Sequence, residues 1–209
     1  MVRASDRQFA LEQYRKRAGA YDLELAAFEP IRRMAIERLQ LNPRDTVLDV
    51  GCGTGLSFGL LQRAIGSGGH IVGIEQCPEM LDKARARVAE QGWANVTLIN
   101  SPIQQARITR KADAAIFHFT HDILRDEQAV RKVMHSLKPG ARVVAAGLQW
   151  AAPWAWLTNT FVMAAALHSV TSLEGLGQPW SVLSQHIGEM DVSTTLLGGV
   201  YIASAVVGP

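Results

Sequence analysis

An aspartate followed by three glycines at alternate positions is the part of this chain best equipped for chemistry. In Val47-Leu48-Asp49-Val50-Gly51-Cys52-Gly53-Thr54-Gly55-Leu56-Ser57 an apolar run carries Asp49 near its end, then breaks into Gly51, Gly53 and Gly55 before a helical pattern resumes. Glycines spaced in this way let the backbone turn sharply, and they let a ligand lie against main chain with no Cβ in between. A cradle for a phosphate chain would place lysine after the glycines, where Leu56 and Ser57 stand instead. A dinucleotide fingerprint would place its third glycine at Leu56. A carboxylate at the end of the strand suits a ligand that carries an ammonium group. A second carboxylate, Glu75, closes the run His70-Ile71-Val72-Gly73-Ile74-Glu75 about twenty residues past the first turn, where an acid accepts both hydroxyls of a ribose. A third group is Phe117-His118-Phe119-Thr120-His121-Asp122, whose imidazoles titrate near neutrality when unperturbed and so suit a proton acceptor.

The elements that must position these residues are legible from periodicity. Helical spacing of Leu25, Phe28, Ile31, Ala35, Ile36 and Leu39 predicts a helix over 23–39, stopped by Asn42-Pro43, and an earlier helix is expected over 5–18. Strands and helices then alternate: strand 46–50, helix 56–64, strand 71–75, helix 78–91 opened by Pro78 and Glu79, strand 96–100, strand 112–119, helix 126–137 and strand 141–147, with Lys138-Pro139-Gly140 as the last turn. After Trp150 the alternation fails. A helix near 154–167, a Gly- and Pro-containing loop, and a hairpin of strands 192–197 and 200–206 turning at Gly198-Gly199 complete the reading. Alternation predicts an α/β sheet with ligands beyond the carboxyl ends of its strands, where Asp49, Glu75, Ser101 and His118 all fall.

Composition sets the frame. The 209 residues are 48% hydrophobic and 19% charged, which predicts a single globular domain able to bury a continuous core, with no internal repeat and no low-complexity linker. Within it, 1–40 are expected to form N-terminal helices or a lid, 44–150 a cofactor-binding core, and 151–209 a substrate cover with the C-terminal hairpin. A net charge of +2 with Arg3, Arg7, Arg15, Lys16 and Arg17 near the start reads as a solvated helix face, without the dense, aromatic-interleaved patch of a nucleic-acid binder. Cys52 and Cys77 form no C-x-x-C pair, and the histidines gather no carboxylate or cysteine at ligand spacing, so neither a disulfide framework nor a metal site is expected. With no apolar leader, and with Pro153, Asn159 and His168 inside its longest apolar segment, the chain is expected to be cytoplasmic.

The glycine motif resembles the first motif of the class I S-adenosylmethionine-dependent methyltransferases, matched by Leu48-Asp49-Val50-Gly51-Cys52-Gly53-Thr54-Gly55 without departure. The likeness runs from about Tyr14 to Val144. It implies a Rossmann-like, doubly wound sheet of strand order 3-2-1-4-5-7-6 with a C-terminal antiparallel hairpin, and S-adenosyl-L-methionine as cofactor. It implies that Asp49 holds the methionyl amino group, that Gly51, Cys52, Gly53 and Gly55 bring backbone to the methionyl and ribose portions, and that Glu75 clamps the ribose. Gln76 and Met80 would border the adenine, Met80 fitting a helix core equally well. The family's aspartate after the third strand is replaced here by Ser101 or Pro102, leaving a serine hydroxyl and the Ile103 backbone N–H for the adenine. Phe117 would lie at the cofactor's side. Tyr14 and Tyr21 match the segment that folds over bound cofactor, or else serve ordinary helix packing and a turn at Gly19. Arg15 stands where it could meet the cofactor carboxylate.

His118 and His121 then fall where cofactor and acceptor meet. The alternatives are packing of His118 beside the adenosyl group and helix capping through His121-Asp122. Trp150, Trp154, Trp156, Phe161, Met163 and His168 suggest an apolar or aromatic acceptor pocket, or core, with Trp150 and Trp154 the substrate candidates and Trp180 a later contributor. The function expected is methyl transfer to oxygen or nitrogen of a small apolar or aromatic acceptor. The competing readings are methylation of a lipid amine in peripheral contact with a membrane, and a cofactor-binding regulatory protein without turnover.

Overall fold

The computed structural model describes residues 26–169 and 172–208. Tyr14, Arg15, Tyr21, the helix expected over 5–18 and the first residues of the one expected over 23–39 lie outside them.

Seven strands form one sheet in the order β3-β2-β1-β4-β5-β7-β6. These are β1 (Thr46–Val50), β2 (His70–Glu75), β3 (Val96–Asn100), β4 (Ala112–His118), β5 (Leu137–Leu148), β6 (Asp191–Thr195) and β7 (Val200–Val206). The first five run parallel, and β7 pairs antiparallel with both β5 and β6. This is the order that the resemblance implied. The central strands are apolar on both faces, as a parallel sheet covered by helices requires. Alternate residues go to opposite cores: Val47, Ile71, Ile116, Val144 and Ile202 to one, Leu48, Val72, Phe117, Val143 and Tyr201 to the other.

The helices divide between those faces. On the first lie α1 (Glu29–Arg38), α2 (Phe58–Ile65), α3 (Pro78–Glu90) and, later in the chain, α6 (Trp156–Ser169). The second receives α5 (Glu127–His135), which follows the four-residue α4 (His121–Leu124), and then α7 (Ser181–Ile187). α5 starts where it does because Asp126 caps it, its Oδ1 accepting from Gln128 N–H at 2.9 Å and Ala129 N–H at 3.1 Å.

Four departures from expectation have a local reason. α2 begins at Phe58 rather than residue 56, because Gly55 at φ +76° cannot lie in a helix and the turn runs on through Ser57. Lys138-Pro139-Gly140 is no free turn. β5 begins at Leu137 opposite Ala112 and resumes at Arg142 opposite Ala114, so the tripeptide is absorbed as an irregularity inside the strand. The hairpin turns through the four residues 196–199 rather than a Gly-Gly pair, with Leu196, Leu197 and Gly198 all at positive φ. α7 was read as loop. Its seven residues offer one buried side chain, Leu183, too little for periodicity to register.

Candidate active site at the carboxyl ends of β1, β2 and β4

β1 and β4 are adjacent in space but not in sequence, so the helices leave β1 and β4 on opposite faces and a crevice opens at their carboxyl ends. Asp49 lies opposite Ile116 and Val50 opposite Phe117, which brings His118 to the same edge as the glycine turn. That turn is pinned by main chain: the N–H groups of Gly51 and Cys52 donate to Ile74 O at 2.9 and 3.1 Å. Gly51 sits at φ +73°, and a Cβ there would stand 2.6 Å from Thr120 Cγ2, so both conformation and space require glycine.

Glu75 joins the two loops. Its Oε2 accepts from Gly53 N–H at 3.1 Å and its Oε1 from Cys77 N–H at 2.8 Å. Burial raises its carboxyl above the ordinary value, and the backbone donors at Cys77, Gly53 and Gln76 oppose that rise. Each oxygen keeps a lone pair for a hydroxyl.

Asp49 is 2% exposed and its Oδ2 meets no hydrogen-bond partner among the described residues. Burial pushes its carboxyl up to about 7; the Arg32 guanidinium pulls it down and the Glu75 charge adds to the rise. A buried polar atom without a partner is costly, which points to a missing donor. Arg32 on α1 is 4% exposed and bonded through Nη1 to Glu29 Oε2 at 2.5 Å. It lines, with Asp49, the glycine loop, His118 and Phe119, one narrow cavity of about 30 Å³. That volume admits about one water molecule. Phe119, which lines it, is at φ +55°, stacked on His118 with ring centroids 5.0 Å apart and edge-on to Phe28 at 4.8 Å. A bulky residue in left-handed backbone is strained, and strain of this kind gathers at sites that move.

The two histidines part company. Both ring nitrogens of His118 are shielded and without a partner among the described residues, and burial, helped by Arg32, lowers the imidazole to about 3, so it is neutral across the physiological range. His121 is not among the residues that line this cavity; its Nε2 pairs with Glu174 O at 2.8 Å, and its Nδ1 has no partner among the described residues. Burial lowers its pKa as well. Cys52 lies in the cavity wall with its thiol held protonated by burial and by Asp49 and Glu75.

The adenine side is less complete. Ser101 Oγ donates to Pro102 O at 2.9 Å, which leaves its lone pairs free to accept an amino N–H. Ile103 is buried in a short 3-10 turn, Met80 is buried in the first turn of α3, and Gln76 is half-buried beside Glu75. The Phe117 side chain points away from the cavity into the second core. Of the substrate candidates, Trp150 packs half-buried against the first core, whereas Trp154 is 76% exposed.

Arg32 was missed in the sequence. The signal was there: it stands four residues after Phe28 and four before Ile36, on the apolar stripe of a helix whose Arg33 faces solvent. Thr120 Oγ1 and Gln149 Oε1 are further buried atoms without partners among the described residues that only the fold reveals.

Comparison with known proteins agrees with this geometry. Residues 47–140 match the family described as Methyltransferase domain. Arsenite methyltransferase of Halobacterium salinarum is 30% identical over 54% of this chain and 29% of its own length. A 23S rRNA uracil C5-methyltransferase of Klebsiella pneumoniae is 38% identical over 38% of this chain and 18% of its own. The chain therefore spans under a third of either protein. In fold, it is similar to the N-methyltransferase NodS of Bradyrhizobium japonicum solved with S-adenosyl-L-homocysteine, at TM-score 0.66 and 16% identity over 89% of this chain and 91% of that one.

Proposed function

From residues 47–140, which belong to the methyltransferase domain family, and a sheet ordered as in the class I S-adenosylmethionine-dependent enzymes, we propose that this chain transfers a methyl group to oxygen or nitrogen of a small apolar or aromatic acceptor. The observation that carries the proposal is the buried, unpartnered Asp49 carboxylate beside Arg32 at the glycine turn. Asp49 accepts from the methionyl ammonium, Arg32 faces the methionyl carboxylate, and Glu75 accepts from the ribose hydroxyls while keeping both loops in register. These donors and acceptors fit the zwitterionic and ribosyl ends of S-adenosylmethionine.

When bound, that cofactor supplies an electrophilic sulfonium methyl. The chain's task is to align an acceptor and to exclude water. His118, neutral with two free ring nitrogens, accepts a hydrogen bond from an acceptor hydroxyl or amine and fixes its direction; at about 3 its pKa makes it a weak proton acceptor. His121 Nδ1 is the second free acceptor on the same segment. Because the cavity is narrow, ligand entry requires its walls, Phe119 among them, to move.

Calorimetric titration with S-adenosylmethionine and S-adenosylhomocysteine, with NAD as control, tests the reading. Micromolar binding of the first two and none of NAD supports it. Binding of NAD alone, or of none of the three, rejects it.

A further inference from the structure

A second cavity, of about 690 Å³, lies between α2, α3 and the connection from α3 to β3. Small-molecule sites fall in the range of about 300–1,000 Å³. Its lining has Leu56 alone in common with the narrow cavity around Asp49. On its floor is Gly59, in the first turn of α2. A Cβ there would meet Trp93 Cη2 at 3.8 Å and Arg63 Nη1 at 3.9 Å, both ordinary contacts, and its φ lies outside the left-handed region. Neither crowding nor backbone requires glycine, and alanine is the better helix former. What the glycine provides is an open slot between an indole and a guanidinium.

The walls of this slot are fixed in advance. Gln62 Nε2 donates to Asn95 Oδ1 at 2.6 Å, and Asn95 Nδ2 donates to Gly69 O at 2.9 Å, which ties the α3–β3 connection to the end of α2. Trp93 N–H donates to Val88 O at 3.1 Å, and its half-buried indole packs on the first core. Arg87 Nε donates to Thr54 O at 3.0 Å, which seats that half-buried guanidinium beside the glycine loop. Arg63, exposed in the last turn of α2, makes no hydrogen bond or ion pair with the described residues. Glu90 is the single acid of the lining.

We propose that this cavity binds a small planar aromatic monocarboxylate, with its ring against Trp93 over Gly59 and its carboxylate on Arg63. Each part of that class answers a feature of the lining. The indole offers a surface on which an aromatic ring packs. A guanidinium matches a carboxylate through two parallel hydrogen bonds, and Arg63 has its donors to give. Two arginines against one glutamate leave the lining one positive charge in excess, which balances one carboxylate and not a chain of phosphates. The slot is narrow on both sides of Gly59, which suits a flat ring better than a branched aliphatic chain. The proposal stands apart from the methyl-transfer reading, because none of Gly59, Arg63, Arg87 and Trp93 lines the cavity around Asp49.

The test is calorimetric titration of the full chain with 2-naphthoate, compared with acetate, 2-naphthalenemethanol and 2-naphthyl phosphate. Saturable binding of 2-naphthoate with a Kd of about 1 mM or tighter is expected, the scale for a ligand of this size. Acetate, which lacks the ring, and 2-naphthalenemethanol, which lacks the charge, bind about tenfold or more weakly, and the phosphate ester binds no more tightly. Arg63→Gln weakens 2-naphthoate by about tenfold and leaves 2-naphthalenemethanol within about twofold. Gly59→Leu fills the slot and weakens both, while an unfolding midpoint at or above that of the native chain shows that the variant is folded. Saturating S-adenosylhomocysteine leaves 2-naphthoate binding in place. Absence of saturable binding overturns the proposal, as does binding that Arg63→Gln leaves unchanged. Tighter binding of the phosphate ester overturns the carboxylate assignment, and displacement by S-adenosylhomocysteine moves the ligand to the other cavity and overturns the site. A chain that binds 2-naphthoate and no S-adenosylmethionine refutes the methyl-transfer reading alone.

Discussion

At the scale of single residues, the role proposed for Asp49 predicts how cofactor affinity depends on pH. Its carboxyl titrates near 7 in the fold against 3.8 in the open chain. Between those values the folded protein holds a proton that the unfolded one has released, so this group costs progressively more stability as pH rises from about 4 to about 7. A ligand ammonium selects the charged carboxylate, so cofactor affinity rises as pH passes upward through 7. About half a proton is released per cofactor bound at pH 7. Calorimetry in buffers of different ionisation heat measures that release, and a proton count of zero contradicts the assignment. Asp49→Ala is expected to weaken S-adenosylhomocysteine binding by about 2–3 kcal/mol, roughly 30- to 150-fold, as for removal of one partner of a buried charged hydrogen bond. His118 behaves differently. Held near 3, it contributes no titration between pH 5 and 9, and His118→Ala is expected to lower kcat while leaving cofactor affinity within about twofold. A matched loss in both would make it a binding residue instead.

At the scale of elements, the glycine turn and one helix cap bear the sharpest consequences. Gly51→Ala meets left-handed backbone and Thr120 Cγ2 together, so a destabilisation of about 1–3 kcal/mol with loss of cofactor binding is expected, read by denaturant unfolding and titration. Full binding by this variant would remove the glycine loop from the site. Asp126→Ala removes both capping hydrogen bonds that Oδ1 accepts at the start of α5 and the 2.5 Å bond from Gln104 Nε2, and is expected to lower stability by about 1–2 kcal/mol without touching cofactor affinity. The cap was readable as a helix start because aspartate stands immediately before an apolar-periodic run. α7 was not, since a seven-residue helix with one buried leucine depends on α5 and the Trp180–Tyr201 contact at 5.0 Å for its existence.

At the scale of the whole molecule, ligand binding and stability are linked. S-adenosylhomocysteine at about 100 times its Kd adds about 2.7 kcal/mol to folding, which raises Tm by about 5–10 °C for a chain of this size. NAD at the same concentration leaves Tm unchanged. A thermal scan that shows no shift with either ligand would separate the methyltransferase-type sheet from cofactor use.

Alternating apolar runs were enough to locate the strands and most of the helices, and with the glycine motif to set Asp49, Glu75 and the glycines at strand ends, because these depend on local spacing; the strand order came from the resemblance that the motif carries. Tertiary structure alone decided which groups meet. It put Arg32, remote in sequence and seemingly one more helix charge, behind Asp49, and it set His118 in the cavity while turning His121 toward Glu174. It also packed the β6–β7 loop against α6. Burial, pairing and surface continuity are relations between distant segments, and neither residue type nor local period encodes them.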